Sequence, residues 1–116
     1  MRVRSDIFVA ALVRRANGEG AFAVIARRGA AEAGAIFVVV DDRTEDCALY
    51  GPAIAGFERE TEHDRDDRRF VPLGRFTGAE LRERWAREAR FDPDFWVVEI
   101  DDREGRSFLD DALVEE

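Results

Sequence analysis

Two adjacent arginines, Arg27 and Arg28, stand before a loop bounded by Gly29 and Gly34 in the stretch RRGAAEAGAIFVVVDD, residues 27 to 42. Glycines at this spacing are what a phosphate-binding loop uses to bring its backbone amides against an anion. Such a loop also needs a Lys and a hydroxyl residue after its second glycine, and it must open a helix. Here Ala35 and Ile36 follow Gly34 and a strand-like run comes next, so the spacing predicts a connection between strands. The arginines remain of interest, because guanidinium groups grip phosphate or carboxylate with two parallel hydrogen bonds. In a regular strand Arg27 and Arg28 point to opposite faces. At a strand end they could converge with Arg14 or Arg15 as an anion-binding cluster. The simpler reading pairs them with Asp41, Asp42 or the acidic tail.

The other reactive residue types are sparse. His63 is the only histidine, and it lies in a highly charged segment that supplies no orienting partner for a general base. With one histidine and one cysteine, Cys47, no standard zinc ligand set exists. The acidic turn DDRTEDC lacks the glycine and terminal Glu of a calcium loop. Asp92 and Asp94 flank Pro93 and could hold a divalent cation with Asp101 or Asp102. Asp-Pro is equally the opening of a type I turn, which is the favoured reading. Tyr50, Phe57 and Phe70 flank the charged segment, where they mark either a partner surface or the completion of a core. No cofactor and no metal is expected.

Composition bounds the rest. At 116 residues with 46% hydrophobic content and nine Phe, the chain suits one α+β domain over residues 1 to 116 with a real core. A single cysteine fits a reducing cytoplasm. No apolar run is long enough to span a bilayer. The start, MRVRSDIFVAALVRR, is interrupted by Asp6 and lacks a small-residue cleavage site, so it does not read as a secretory signal. Every one of the 18 basic residues is Arg, and the net charge is −8. That acidity argues against nucleic acid as a partner. Residues 1 to 40 nevertheless carry six Arg against three acids, a local basic excess that fits internal pairing between the two halves.

Periodicity supplies the elements. Ser5 is a predicted N-cap for a helix running to about Asn17, with Ile7, Phe8, Ala11 and Leu12 as its apolar stripe, widened by Val9 and Val13. A hairpin turn at Asn17-Gly18 between two strands is the rival reading. AFAVIARR from Ala21, AIFVVVD from Ala35 and CALYG from Cys47 read as strands of an antiparallel meander. The second of these is apolar on both faces and needs cover on each side. Residues 58 to 69 contain no apolar residue and read as a solvated loop. Phe70 to Phe76 returns as an edge strand, in which Pro72 is tolerated. Thr77 and Glu80 form a capping box for a second helix with the stripe Leu81, Trp85 and Ala89. Trp96, Val98 and Ile100 then share one face of a final strand, and the acidic tail with Phe108 and Leu109 adds either an edge strand or a short docking turn. The expectation is a mostly antiparallel sheet of four to six strands in the order α-β-β-β-(β)-α-β, with both helices packed on it. Two helices on one side would leave the other face to a loop or a second subunit, which motivates a homodimer.

RRGAAEAGAIFVVVD, ALYGPA and REARFDPDFWVVEIDDREGR together resemble a family of small uncharacterised bacterial proteins known as a domain of unknown function. Its recurring marks are the glycine-bounded loop after paired basic residues and the Asp-Pro-Asp before Trp. The resemblance spans about Ser5 to Pro52 and Leu81 to Arg106. It implies a cytoplasmic bacterial protein of this length and brings no catalytic residue with it. The residues therefore favour a non-enzymatic binding or adaptor module with an unidentified protein partner. The alternative is a small-anion or nucleotide-binding protein using Arg14, Arg15, Arg27 and Arg28. A metal-assisted hydrolase built on Asp92 and Asp94 ranks third.

Overall fold

A computed structural model describes residues 3 to 53 and 68 to 114. Among these residues the chain forms helix α1 (Ser5–Gly18), strands β1 (Phe22–Arg27), β2 (Ile36–Asp41), β3 (Cys47–Pro52) and β4 (Phe70–Phe76), helix α2 (Gly78–Phe91) and strand β5 (Trp96–Asp101). A short 3-10 turn, Asp110–Ala112, follows. This is the expected α+β fold in the expected element order. The expected loop at residues 58 to 67, with His63, lies outside the described residues, as does Phe57.

The sheet has the order β1-β5-β2-β3-β4. The expected meander of β1, β2 and β3 forms only in part: β2 pairs antiparallel with β3, and β3 with β4. Strand β1 does not join it. Strand β5 enters between β1 and β2, antiparallel to the first and parallel to the second. The reason lies in the connection after β1, which does not turn back as a hairpin. It curls onto the start of β5, where the Trp96 amide donates to the Ala35 carbonyl at 2.7 Å.

Two apolar clusters lie on opposite faces of the sheet. Val9, Leu12 and Ala16 of α1 pack with Ile36, Val38 and Val40 of β2 and Trp96, Val98 and Ile100 of β5. Phe108 and Leu109 of the tail close this cluster, as in the docking-turn reading. On the other face Leu81, Trp85 and Ala89 of α2 pack over Phe37, Val39 and Leu49, with Phe95 and Val97 beside them. The two helices thus cover β2 from both sides, so the naked face behind the homodimer expectation is absent. Phe70 is 2% exposed and Tyr50 packs against the same core, which makes both of them core residues.

Helix α2 begins as its capping box dictates, with the Glu80 amide donating to Thr77 and the Thr77 amide donating to Glu80. Helix α1 differs from expectation at its start. Arg4 occupies the N-cap position without a side-chain cap, and Ser5 is already helical and buried. Its hydroxyl donates to the Gly34 carbonyl at 2.6 Å and accepts from Arg68 at 2.8 Å, which fixes the side chain away from the helix amides. Within the widened stripe Val9 and Leu12 are buried and Phe8 and Val13 pack against the core, while Ser5 and Ala16 join the buried set and Ile7 is exposed.

Both sheet edges are occupied. On the outer side of β1, the Asn17 carboxamide accepts from the Ala23 amide at 2.8 Å and donates to the Ala23 carbonyl at 3.3 Å. One side chain thereby takes the two bonds that an added strand would make at Ala23. At the other edge β4 contains Pro72 and Gly74, the latter at φ 125°. The Val114 amide donates to the Phe70 carbonyl at the same edge. These are devices that keep sheet edges from recruiting foreign strands.

Candidate functional site

The glycine-bounded loop and the Asp-Pro-Asp turn are one unit. Gly29 and Gly34 both lie against the Asp94 carbonyl, and a β-carbon at either position would overlap it. The Ala30 amide donates to that carbonyl at 3.0 Å, and the Trp96 indole donates to the Ala30 carbonyl at 2.8 Å. The glycines are therefore required by the approach of two backbones. On its other side the loop caps α1: the Ser5 and Asp6 amides donate to the Glu32 and Ala31 carbonyls at 3.2 and 2.9 Å. A phosphate cradle presents amides. This loop presents the carbonyls of Ala30, Ala31, Glu32 and Gly34, and the helix amides beneath it are already engaged.

Asp92 serves its own turn, accepting from the Asp94 amide at 3.1 Å. Among the described residues no group of three or more His, Cys, Asp or Glu is placed to hold a metal ion. The four arginines are not brought together. Arg27 lies over the Phe95 ring at 4.1 Å and donates to the Pro93 carbonyl at 2.8 Å. Arg28 reaches toward Trp96, which belongs to the opposite face of the sheet. Arg15, near the far end of α1, donates to the Phe108 carbonyl at 2.8 and 3.2 Å. Its neighbour Arg14 is exposed.

Two arginines that sequence patterning passes over are more deeply engaged. Arg68 belongs to the run read as solvated, yet it is 8% exposed and donates to the Val3 carbonyl and Ser5 hydroxyl, each at 2.8 Å. That corrects the solvated reading at its C-terminal end. The only sequence signal is that Arg68 lies two residues before a buried strand residue, Phe70. Arg106 clamps Asp102 through two side-chain bonds of 2.9 Å, and the Arg106 amide adds a third at 2.8 Å. These donors bring the Asp102 carboxyl down to about 2.

Among the described residues an open cleft of about 380 Å³ lies between α2 and the strip of sheet formed by β5 and β1. Alternation sends Phe22 and Val24 of β1 into it, and Leu81 and Trp85 of α2 form its opposite wall. Phe22 is 66% exposed and Val24 38%. Glu99, the cross-strand partner of Val24, projects between them, with Asp41 and Asp101 alongside. Asp101 is paired with Arg43 at 3.0 Å. Glu99 and the facing Arg82 have no ion-pair or hydrogen-bond partner among the described residues. Cys47 also lines the cleft. Burial, with Asp41 and Asp42 adding to it, pushes its thiol up, so it stays protonated and a poor nucleophile at neutral pH. The cleft offers contact surface and charge without an activated group.

A family model described as "Protein of unknown function (DUF1491)" matches residues 3–110. A DUF1491 family protein from Caulobacter crescentus, solved as a crystal structure, is 41% identical over 98% of this chain and 99% of its own, with a TM-score of 0.76. A solution structure of an A. tumefaciens protein is 41% identical over 100% of this chain and 98% of its own, with a TM-score of 0.81. An NMR structure of a Caulobacter crescentus DUF1491 family protein gives 42% identity, 98% coverage of both chains and a TM-score of 0.77. A comparison with the curated proteins finds no match.

Proposed function

The chain belongs to the DUF1491 family of proteins of unknown function, and on that premise we propose that it is a non-enzymatic binding module whose recognition surface is the cleft between α2 and the β5–β1 strip. One observation carries the reading: Phe22 and Val24 stand exposed side by side on a strand whose other face is packed into the core. Fully burying an apolar side chain of this kind is worth about 1.5–3 kcal/mol. At 66% exposure for Phe22 and 38% for Val24, the fold forgoes the larger part of that at the first and a smaller part at the second. An adjoining pair of this sort, beside a formed cleft with a charged rim, is what a partner surface requires. The protonated Cys47 thiol and the absence of an activated group in the cleft support binding over turnover. A lone reduced thiol is consistent with a cytoplasmic protein, and no helix among the described residues is long and apolar enough to cross a membrane.

A random-peptide library selected on the immobilised protein tests this. Enriched peptides should lose at least about tenfold in affinity for the double variant Phe22→Ser, Val24→Ser, the scale of truncating an interface anchor. Failure to enrich any peptide, or enrichment of peptides indifferent to the double variant, overturns the proposal.

A further inference from the structure

Resting on that reading, we infer that the occupant of the cleft is a basic amphipathic helix of a partner protein. Three observations select it. The first is the edge blocked at Ala23: Asn17 satisfies both backbone groups of that residue, so an extended peptide pairing through the middle of β1 must displace it. An occupant must dock through side chains on the face instead.

The second is width. Helix α2 packs over β2 and β3 and reaches β4, and Val97 of β5 is buried in the same cluster, which leaves β1 and the Glu99–Asp101 end of β5 uncovered on this face. Two neighbouring strands present a lane roughly 10 Å across. One helix with its side chains is about 10–12 Å wide, and helices pack about 8–10 Å apart. The lane beside α2 therefore takes one further helix. Its apolar stripe would meet Phe22, Val24, Leu81 and Trp85.

The third is charge. Glu99 stands unpaired on β5 directly across from Val24, and Asp41 adds a second carboxylate to the lining of the cleft. A Lys or Arg flanking the apolar stripe would reach both. Arg82 on the opposite wall offers a place for one acid on the far flank of the same helix. The whole chain carries −8, which draws in a cationic partner and opposes close approach of a second copy.

The test uses the full chain and three synthetic peptides of about 15 residues. The first places Leu and Lys at helical spacing on an Ala background, the second replaces its Lys by Glu, and the third alternates Leu and Lys as a strand would. Binding is followed by amide chemical-shift mapping and by peptide circular dichroism. The expected result is that the first peptide gains helicity on binding and shifts the amides of Phe22, Val24, Glu99 and Trp85. Glu99→Gln should weaken it about 2- to 5-fold, as for removal of one exposed ion pair, and less at high salt. The acidic peptide should bind at least about tenfold more weakly.

Equal or tighter binding of the acidic or alternating peptide overturns the inference, as do shifts that map elsewhere. Concentration-dependent sedimentation that Phe22→Ser abolishes would assign the cleft to a second copy and also overturn it. If library-selected peptides need Phe22 and Val24 but are acidic or extended, the inference falls and the binding-module reading stands. If nothing engages those residues, both fall.

Discussion

Replacing Gly29 by Ala should cost far more than a methyl group on a loop ordinarily does. The added carbon meets the backbone of Asp94 and Phe95, which has no rotamer to change. The loop must then part from the turn and give up two bonds, Ala30 amide to Asp94 carbonyl at 3.0 Å and Trp96 indole to Ala30 carbonyl at 2.8 Å. Each bond is worth about 1 kcal/mol net, and a buried indole donor left unpaired adds about 1–3 kcal/mol. Trp96 is 2% exposed, so water does not replace its partner. Against this total of about 3–5 kcal/mol, Ala restricts the unfolded chain and returns about 0.4–1 kcal/mol. The expected loss is about 2–4 kcal/mol, or roughly 8–16 °C in melting temperature for a chain of this size. Thermal and urea unfolding followed by circular dichroism read it directly. Gly18→Ala is the internal control: it lies at the end of α1 with nothing within 4 Å of an added carbon, and it should be neutral or slightly stabilising. A Gly29→Ala protein that melts within about 2 °C of Gly18→Ala would refute the claim that this glycine is required by backbone contact.

Three further expectations follow from single groups. Asp102 has a folded-state value near 2, below its unfolded value, so its contribution is present above about pH 4 and disappears as pH falls through 2. Acid unfolding of Asp102→Asn should therefore show less loss between pH 4 and 2 than the parent, and parallel curves would contradict the clamp. Asn17→Ala should cost about 1–2 kcal/mol in urea melts and expose the Ala23 edge to self-association in light scattering. A monomeric variant of unchanged stability would remove the edge-blocking argument. Cys47 should react with iodoacetamide at pH 7.5 more slowly than a free thiol such as glutathione, given its raised value. Faster alkylation would put an activated thiol in the cleft.

What could be read from the residues was local. The Thr77–Glu80 capping box, the Leu81–Trp85–Ala89 stripe and the alternation of Trp96, Val98 and Ile100 each depend on neighbours within a few positions, and each stands as expected. The insertion of β5 between β1 and β2 depends on partners some sixty residues away in the chain, such as Ala35 and Trp96, and nothing in either segment announces it. Ser5 illustrates the same limit in one side chain: its type suits an N-cap, and a long-range pair with Gly34 and Arg68 claims it instead. Arg68 reads as one more charge in a charged run because composition cannot tell a buried guanidinium from a solvated one. The cleft was illegible for a related reason. Phe22 and Val24 look like ordinary strand residues until the position of α2 shows that nothing covers them.

The late position of β5 also governs how the molecule can be made. Until residues 96 to 101 have left the ribosome, β1 and β2 have no shared neighbour, and a gap about two strand spacings wide separates the places they will occupy. The nascent chain can assemble the β2–β3–β4 meander alone, but α1 has only half a floor to rest on. Joining the two halves requires one central strand whose partners are distant in the chain, and that step carries the loop-closure entropy. Until β5 is in place, the apolar faces of β1 and β2 stay open to solvent, and a chain held in that state is exposed to aggregation.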